Sequence, residues 1–559
     1  MLRSLAAWSL LGLLPAQTPS SDVAVGVFPF LVGNMDPRIN EIVTNCQTHG
    51  IDTLYVSAFR ATGPSTGDLW VNDSAGTWNA AWGPIRPGGA GINLQNLIAA
   101  CHAASIRVVA VLKCFAETVQ PDNLAHRQYL LSVIGYFVDS WQSNGLPVYD
   151  LDGIALDYVR YVGGSNVNAS NVTAFVSDVR QRVGNLSLHA YLIANRYSFD
   201  GPVYDGNFNS YTSTMNQLTS QFGQNWQQLA PLLDVLMPMA YTADGSIYST
   251  YALHQAYVRK TAEYARTACT NAGVPNKRVQ PTVKTYTGDG ETTTTQTIEA
   301  SITGALLGGA DGYQAFRYQH LVNNPSWWTK MAQYAVPGCN WPRPMYSATS
   351  PKLTATFDPA GTIDADQSAG SLQVRFDFDG DGLFDTGWLA NAPAVALQRH
   401  PGTWYTTMQA RDVDGHVSTT RRRLQAGHVL TLIPPFVSTS AGGQVQILID
   451  VGAAGAGNVY LAIAGITGTS PGFLWRPGFP VALNVDAVTT LLAGDPNGLF
   501  LSNGFGTLDG LGRATATFTL PPGVVPFVAG WPLWWSVLSQ TPGGAPACVG
   551  ETKMMTLTL

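Results

Sequence analysis

Residues 152–161 read Asp152-Gly153-Ile154-Ala155-Leu156-Asp157-Tyr158-Val159-Arg160-Tyr161. A turn pair opens the stretch, an apolar β-type body follows, and its end gathers a carboxylate, a guanidinium and two phenols. A strand reads this way when its body is buried and its C-terminal end carries chemistry. In a (β/α)8 barrel the chemistry sits on that face, among the βα loops. The purely structural alternative is an Asp157–Arg160 ion pair bracing a strand end, since an isolated charge is too costly to bury unpaired.

Working outward from this strand, short apolar runs alternate with amphipathic stretches across residues 22–340. Further strands are expected at 23–32, 53–59, 107–115, 187–195, 234–241, 278–284 and 312–316. Between them, apolar residues recur at helical spacing, as in Leu130, Val133, Ile134, Phe137, Val138 and Trp141. Residues 60–91 read as a long loop rich in Gly, Pro and Trp. Eight strands, each followed by a helix, predict a (β/α)8 TIM barrel. A doubly wound open sheet is disfavoured, because no glycine-rich phosphate turn follows the first strand.

The whole chain has 559 residues, which calls for about three domains. Charged residues make up 12%, and the net charge is −6, so no electrostatic footprint for nucleic acid is present. Residues 1–20 have the pattern of a secretory signal: Arg3, an apolar run from Leu5 to Leu14, then small residues near Ala16. That run is too short to span a bilayer, so a secreted or cell-surface protein without a transmembrane segment is expected. Six cysteines are sparse and lack CxxC spacing. A Cys46–Cys101 disulfide is one arrangement and free buried thiols the other, the second being favoured.

From residue 346 the pattern changes to short strands and turns. Residues 346–425 predict a small β-sandwich and 427–559 a second all-β module. Residues 376–385 (FDFDGDGLFD), with Gly402-Thr403-Trp404-Tyr405 and Asp412-Val413-Asp414-Gly415, resemble the PKD-type (polycystic kidney disease) domain. That resemblance implies an immunoglobulin-like sandwich of the kind found beside catalytic modules of secreted bacterial hydrolases. Asp377, Asp379, Asp381 and Asp385 also have calcium-loop spacing. Trp388 stands where an EF-hand requires Glu, so only a looser structural calcium site is expected. Trp531, Trp534 and Trp535 read as core before they read as a sugar-stacking platform.

At the barrel mouth the strand ends offer Lys113, Glu117, Asp157, Arg160, Asn195, Arg196, Tyr241, Asp244, Lys284, Tyr286, Arg317 and Tyr318. No HExxH, Gly-x-Ser-x-Gly or P-loop occurs, which leaves zinc proteolysis, serine esterase chemistry and phosphoryl transfer without support. An aromatic-lined, carboxylate-bearing mouth suits glycosidic bond cleavage, which needs no cofactor.

The strand-four stretch, together with Asp234-Val235-Leu236-Met237-Pro238-Met239-Ala240-Tyr241, resembles glycoside hydrolases with the barrel signature D-x-I-x-x-D-Y-V-R-[FY] and a later P-M-x-Y. The resemblance covers the barrel only. It implies a polysaccharide-directed hydrolase with Asp157 as a principal carboxylate. Family 18 chitinases place their general acid two positions beyond the last Asp of the motif, where this chain has Val159. A substrate-assisted chitinase mechanism would therefore lack its proton donor.

The expectation is Asp157 as nucleophile or base, kept ionised by Arg160, and Asp244 or Glu117 as acid, Asp244 preferred. Arg160, Tyr241, Lys113, Lys284, Tyr286, Asn195, Arg317 and Tyr318 would contact the polysaccharide. The competing reading is a catalytically inactive carbohydrate-binding or cell-surface adhesion protein built on the same barrel.

Overall fold

A closed ring of parallel strands frames the N-terminal part of the chain. It uses β1 (Asp22–Val27), β2 (Thr53–Gly63, carrying an antiparallel arm β3, Thr66–Leu69), β4 (Arg107–Lys113) and β5 (Gly153–Asp157). The ring continues through β6 (Ser187–Ile193), β7 (Val235–Met239), β8 (Arg278–Val279), β9 (Thr282–Lys284) and β10 (Gly312–Phe316). Apart from the β3 arm, neighbouring strands pair in parallel, β7 joins both β8 and β9, and β1 joins both β10 and β2, which shuts the barrel. The computed structural model describes residues 22–27, 38–85, 91–115, 119–162, 166–194, 210–240, 251–288, 292–335, 342–364, 367–523 and 528–559. Two units divide the chain: Met1–Ser140 with Val148–Trp341, and Trp141–Pro147 with Pro342–Leu559.

Two strands depart from expectation. The expected strand 278–284 is split at Gln280-Pro281, since proline brings no N–H to a ladder. Strand two runs on past Phe59 to Gly63 and turns back as β3, so part of the expected loop 60–91 is a hairpin arm.

The helices are α1 (Ile39–Thr48), α2 (Leu94–Ala103), α3 (Leu124–Val138), α4 (Ala169–Val183), α5 (Tyr211–Phe222) and α6 (Trp226–Leu229). They continue with α7 (Tyr251–Asn271), α8 (Thr295–Leu307), α9 (Tyr318–Val322) and α10 (Pro325–Ala332). Asparagines start several of them: the side chains of Asn93, Asn123 and Asn168 accept amide hydrogens of Asn96, His126 and Ser170. In α4 the buried face is Val172, Phe175, Val176, Val179 and Val183, the 3.6-residue spacing that turns one side to the sheet.

At the opposite end of the barrel from the mouth, carboxylates brace the sheet. Asp152 accepts the Val108 amide at 2.7 Å, Asp234 that of Leu188 at 2.9 Å, and Asp311 that of Val279 at 2.8 Å. Each lies just before a strand and satisfies an amide of its neighbour. His102, Arg180 with Lys277, and Arg266 respectively pair with them. The first Asp of the opening motif is thus structural.

Cys46, Cys101, Cys114, Cys269 and Cys548 are buried free thiols, while Cys339 lies outside the described residues. Among the described residues no helix is long and apolar enough to cross a membrane.

The second unit is all β apart from short helices. Its first part comprises β11 (Ser347–Thr349), β12 (Thr354–Asp358), β13 (Gln373–Asp377), β14 (Leu389–Ala390), β15 (Ala394–Leu397), β16 (Gly402–Arg411) and β17 (Val417–Ala426). They form a three-stranded sheet, β11-β12-β15, and a four-stranded sheet, β14-β13-β16-β17. Phe357, Phe376 and Met408 are buried in the core they share. Further strands between Leu430 and Thr558 form two more multistranded sheets and a hairpin, Phe473–Arg476 with Phe479–Val481. One apolar cluster runs from Tyr346 to Leu557 through both segments. Trp535 is fully buried in it, whereas Trp531 is 43% exposed.

Candidate active site

Strand register assembles the mouth. Lys113 pairs laterally with Asp157, Arg60 with Lys113, and Asp68 with Arg60. Register partners share a face of a sheet, so Asp68, Arg60, Lys113 and Asp157 form one row across four adjacent strands. Their sequence neighbours Leu69, Phe59, Leu112 and Leu156 point the other way, into the core under the helices.

The row exists because of a bulge. Ser57 pairs with Val111 but Phe59 with Leu112, so Ala58 is an extra residue and the side-chain parity of β2 inverts beyond it. Bulges of this kind re-aim side chains at barrel rims. Gly67 lets the arm close: a Cβ there would lie 2.3 Å from the Phe59 ring and 2.6 Å from the Arg60 carbonyl oxygen. Gly67→Ala is therefore expected to destabilise the first unit by about 1–3 kcal/mol. Denaturant unfolding measures this, and wild-type stability would show that the arm does not pack on Phe59.

Strand four ends in a strained residue. Tyr158 has φ +53°, a left-handed conformation uncommon outside glycine and characteristic of functional turns. Its amide donates to Asp157 Oδ1 at 2.8 Å, and the Asp157 carbonyl accepts the Cys114 amide at 2.8 Å. The Tyr158 ring lies under two cations, Lys113 Nζ at 3.9 Å and the Arg160 guanidinium at 4.7 Å. Tyr161, the second phenol, turns into the core and accepts from Asn171.

A fully buried glutamine ties the next strand to this turn. Gln224 donates to the Val159 carbonyl at 3.2 Å and accepts the Ile193 amide at 2.7 Å.

Asp157 is half-buried, and its carboxyl is held above the usual Asp range. Burial is the main cause, opposed by the Tyr158 amide, Arg160 and Lys113 in that order. This corrects the expectation that Arg160 leaves the Asp157 carboxyl with a lowered pKa. The cation does pull the pKa down, but desolvation outweighs it. Asp68 is likewise raised by burial against Arg60.

Across the ring, β9 and β10 contribute a second group. Lys284 is buried, donates to the Gly288 carbonyl at 2.6 Å, and lies 4.7 Å from the Tyr286 ring. Tyr286 meets the rings of Phe316 at 5.9 Å and His320 at 5.8 Å, and Arg317 contacts His320 Nε2 at 3.1 Å. Tyr318 does not join them. Its ring is fully buried, and its hydroxyl donates to Glu41 and accepts from Asn45, both on α1. It opens α9 with its side chain turned into the helical layer, which corrects its assignment to the sugar site.

Glu117, Asn195, Arg196, Tyr241 and Asp244 lie outside the described residues. Below the mouth the barrel interior is partly polar. His189 contacts Tyr55 at 2.8 Å and Ser187 at 2.7 Å, and burial lowers it to about 3, so it is neutral.

In the second unit Asp377, Asp379 and Asp385 offer oxygens within 4.8 Å of one another, and Asp381 is not part of that group. Asp377 accepts the Gly380 and Gly382 amides, and Arg399 pairs with Asp379 at 2.5 Å.

The reading from sequence missed Asp68, Arg60, Tyr158 as a site residue, and Gln224. The left-handed turn has no signature in the residue types, and the Ala58 bulge has none in the hydrophobic pattern.

No family model matches the chain, and no curated protein matches it. Solved structures do resemble it. The PgaB (BpsB) glycoside hydrolase domain from Bordetella bronchiseptica is 10% identical, with a TM-score of 0.40, over 57% of this chain and 99% of that one. A class V chitinase mutant from Cycas revoluta is 10% identical, TM-score 0.36, over 56% and 99%. The catalytic domain of a β-amylase from Paenibacillus polymyxa is 11% identical, TM-score 0.37, over 57% and 98%. At such identities and TM-scores, none of these likenesses carries an argument about chemistry.

Proposed function

We propose that the barrel is a glycoside hydrolase acting on a polysaccharide, with Asp157 as the residue that carries the proton. The observation behind this is the Asp157 carboxyl at the end of strand four, half-buried, raised above the usual Asp range, with Oδ1 fixed by the Tyr158 amide. A carboxyl whose pKa is raised by burial suits delivery of a proton to a leaving glycosidic oxygen. A second carboxylate then takes a proton from the attacking water or bonds to the anomeric carbon. Asp244 and Glu117 remain the partners proposed from sequence, and Asp68 joins them through the shared row. Lys113, Arg160, Lys284, Tyr286 and Arg317, with Tyr241 and Asn195, are proposed to contact the sugar.

One observation favours the binding-protein reading: the charged side chains acting on Asp157 are two cations, Arg160 and Lys113. Release of reducing ends from a polysaccharide panel separates the two. Hydrolysis lost in Asp157→Asn is the expected result. Sugar binding without turnover in the wild-type chain would favour the binder.

Export through residues 1–20 and a PKD-type role for the first β segment are part of the same proposal. Calcium is proposed at Asp377, Asp379 and Asp385, on the convergence of their oxygens. Added calcium is then expected to raise the melting temperature of the chain, and Asp377→Ala to abolish the rise. An unchanged melting temperature in the wild type would remove the ion from the scheme.

A further inference from the structure

The outer face of the four-stranded sheet β14-β13-β16-β17 carries an arrangement that the barrel chemistry does not use. Phe376, Met408 and Ala410 point into the core, so Gln373, Arg375, Gln409, Arg411 and Thr419 lie on the opposite side by strand parity. Register sets Gln373 beside Arg411, Arg375 beside Gln409, and Gln409 beside Thr419. The two arginines are therefore diagonal neighbours, and both approach one indole. The guanidinium carbon of Arg375 is 4.5 Å from the Trp388 ring centre and that of Arg411 is 4.3 Å. Arg375 also lies 4.0 Å from the Phe384 ring.

Two like charges held on one ring call for a counter-charge, yet among the described residues neither guanidinium is paired with a carboxylate. Their acceptors are neutral amides: Arg375 donates through Nε and a terminal nitrogen to Gln409 Oε1 at 2.9 and 2.6 Å, and Arg411 donates to Gln373 Oε1. Asp377, on the same strand face, turns its oxygens to the Gly380 and Gly382 amides.

The far end of this face is occupied within the same unit. Trp141 stacks near Tyr405 at 5.3 Å, and Arg423 donates to the Gln142 carbonyl at 3.2 Å. Among the described residues of this unit no such contact covers the Arg375–Trp388–Arg411 end, and its side chains are only half-buried. The aromatic contacts fix the guanidinium planes before any ligand arrives, and a fixed planar fork matches a carboxylate. Flanking amides and a threonine hydroxyl supply the neutral donors and acceptors that sugar hydroxyls need.

We propose that Arg375, Trp388 and Arg411 form a binding site for a carboxylate-bearing polysaccharide, separate from the barrel mouth and independent of hydrolysis. The test uses the full chain with Asp157→Asn, so that cleavage cannot interfere, and measures binding to polygalacturonate by calorimetry. Saturable binding that weakens with added salt is expected, and it should be lost with the fully methyl-esterified polymer. Arg411→Gln should weaken binding by about tenfold or more, and Arg411→Lys, which keeps the charge but not the fork, by a similar amount. Melting curves of both variants establish that the sheet is intact. Equal binding to the esterified polymer, or unchanged affinity in folded Arg411→Gln, would overturn the site. Preferential binding of poly-glutamate or duplex DNA would overturn the sugar assignment.

Discussion

Asp157→Asn is expected to lose about 10²–10⁴-fold in hydrolysis, the range for removing a positioned acid, while melting at a higher temperature than the wild type at neutral pH. The second half follows from linkage. Burial raises the native carboxyl above its unfolded value, so the native state binds this proton more tightly than the unfolded chain does. Below the ordinary Asp range both states are protonated and the group is neutral in the balance. As pH rises past the unfolded value and through the raised native one, stability is lost, and the loss is complete above the native value. Asparagine removes it. The difference in melting temperature should therefore close as the pH is lowered through the carboxylate range. An asparagine variant less stable than the wild type at pH 7 would show that the carboxylate is a structural anion gripped by Arg160 and Lys113, and the proton-donor role would fall.

The second large effect is expected at Gln224. Its side chain is fully buried and bridges the Ile193 amide and the Val159 carbonyl. Leucine at this position has similar bulk but leaves both backbone groups without a partner, at about 1–3 kcal/mol each. Gln224→Leu should thus cost about 2–6 kcal/mol of stability by denaturant unfolding. Turnover should fall as well, because the bridge holds the segment that follows Asp157. A loss below about 0.5 kcal/mol, within the range of an ordinary surface substitution, would mean that water replaces the bridge and that the turn is held elsewhere.

How far the sequence could be read depended on which kind of force each feature obeys. The barrel was legible because a buried parallel strand must be apolar along its whole body, and Gly153 to Leu156 can be little else. The helices were legible from periodicity. Two features were not, because they arise only when strands meet. The parity of β2 changes at Ala58, an alanine like any other in the row of letters, and this change carries Arg60 and Asp68 into line with Lys113. Tyr318 stands two residues past the end of β10 and Tyr158 one past the end of β5, yet Tyr318 begins a helix and turns inward. The direction of the Asp157 shift was misjudged for a related reason. A neighbouring guanidinium can be read from spacing, whereas the extent of desolvation belongs to the assembled fold.

The bulge at Ala58 also makes the mouth tolerant of a change in strand length. Deleting that one residue would restore even pairing along β2 while leaving Phe59 opposite Leu112 and Arg60 opposite Lys113, so Phe59 would stay in the greasy layer beneath the helices and Arg60 on the cavity wall. A lineage carrying this barrel could thereby gain or shed a residue here in a single indel and keep its charged wall, leaving every other strand where it is. Relatives that differ by one residue at this position should consequently admit the same molecules.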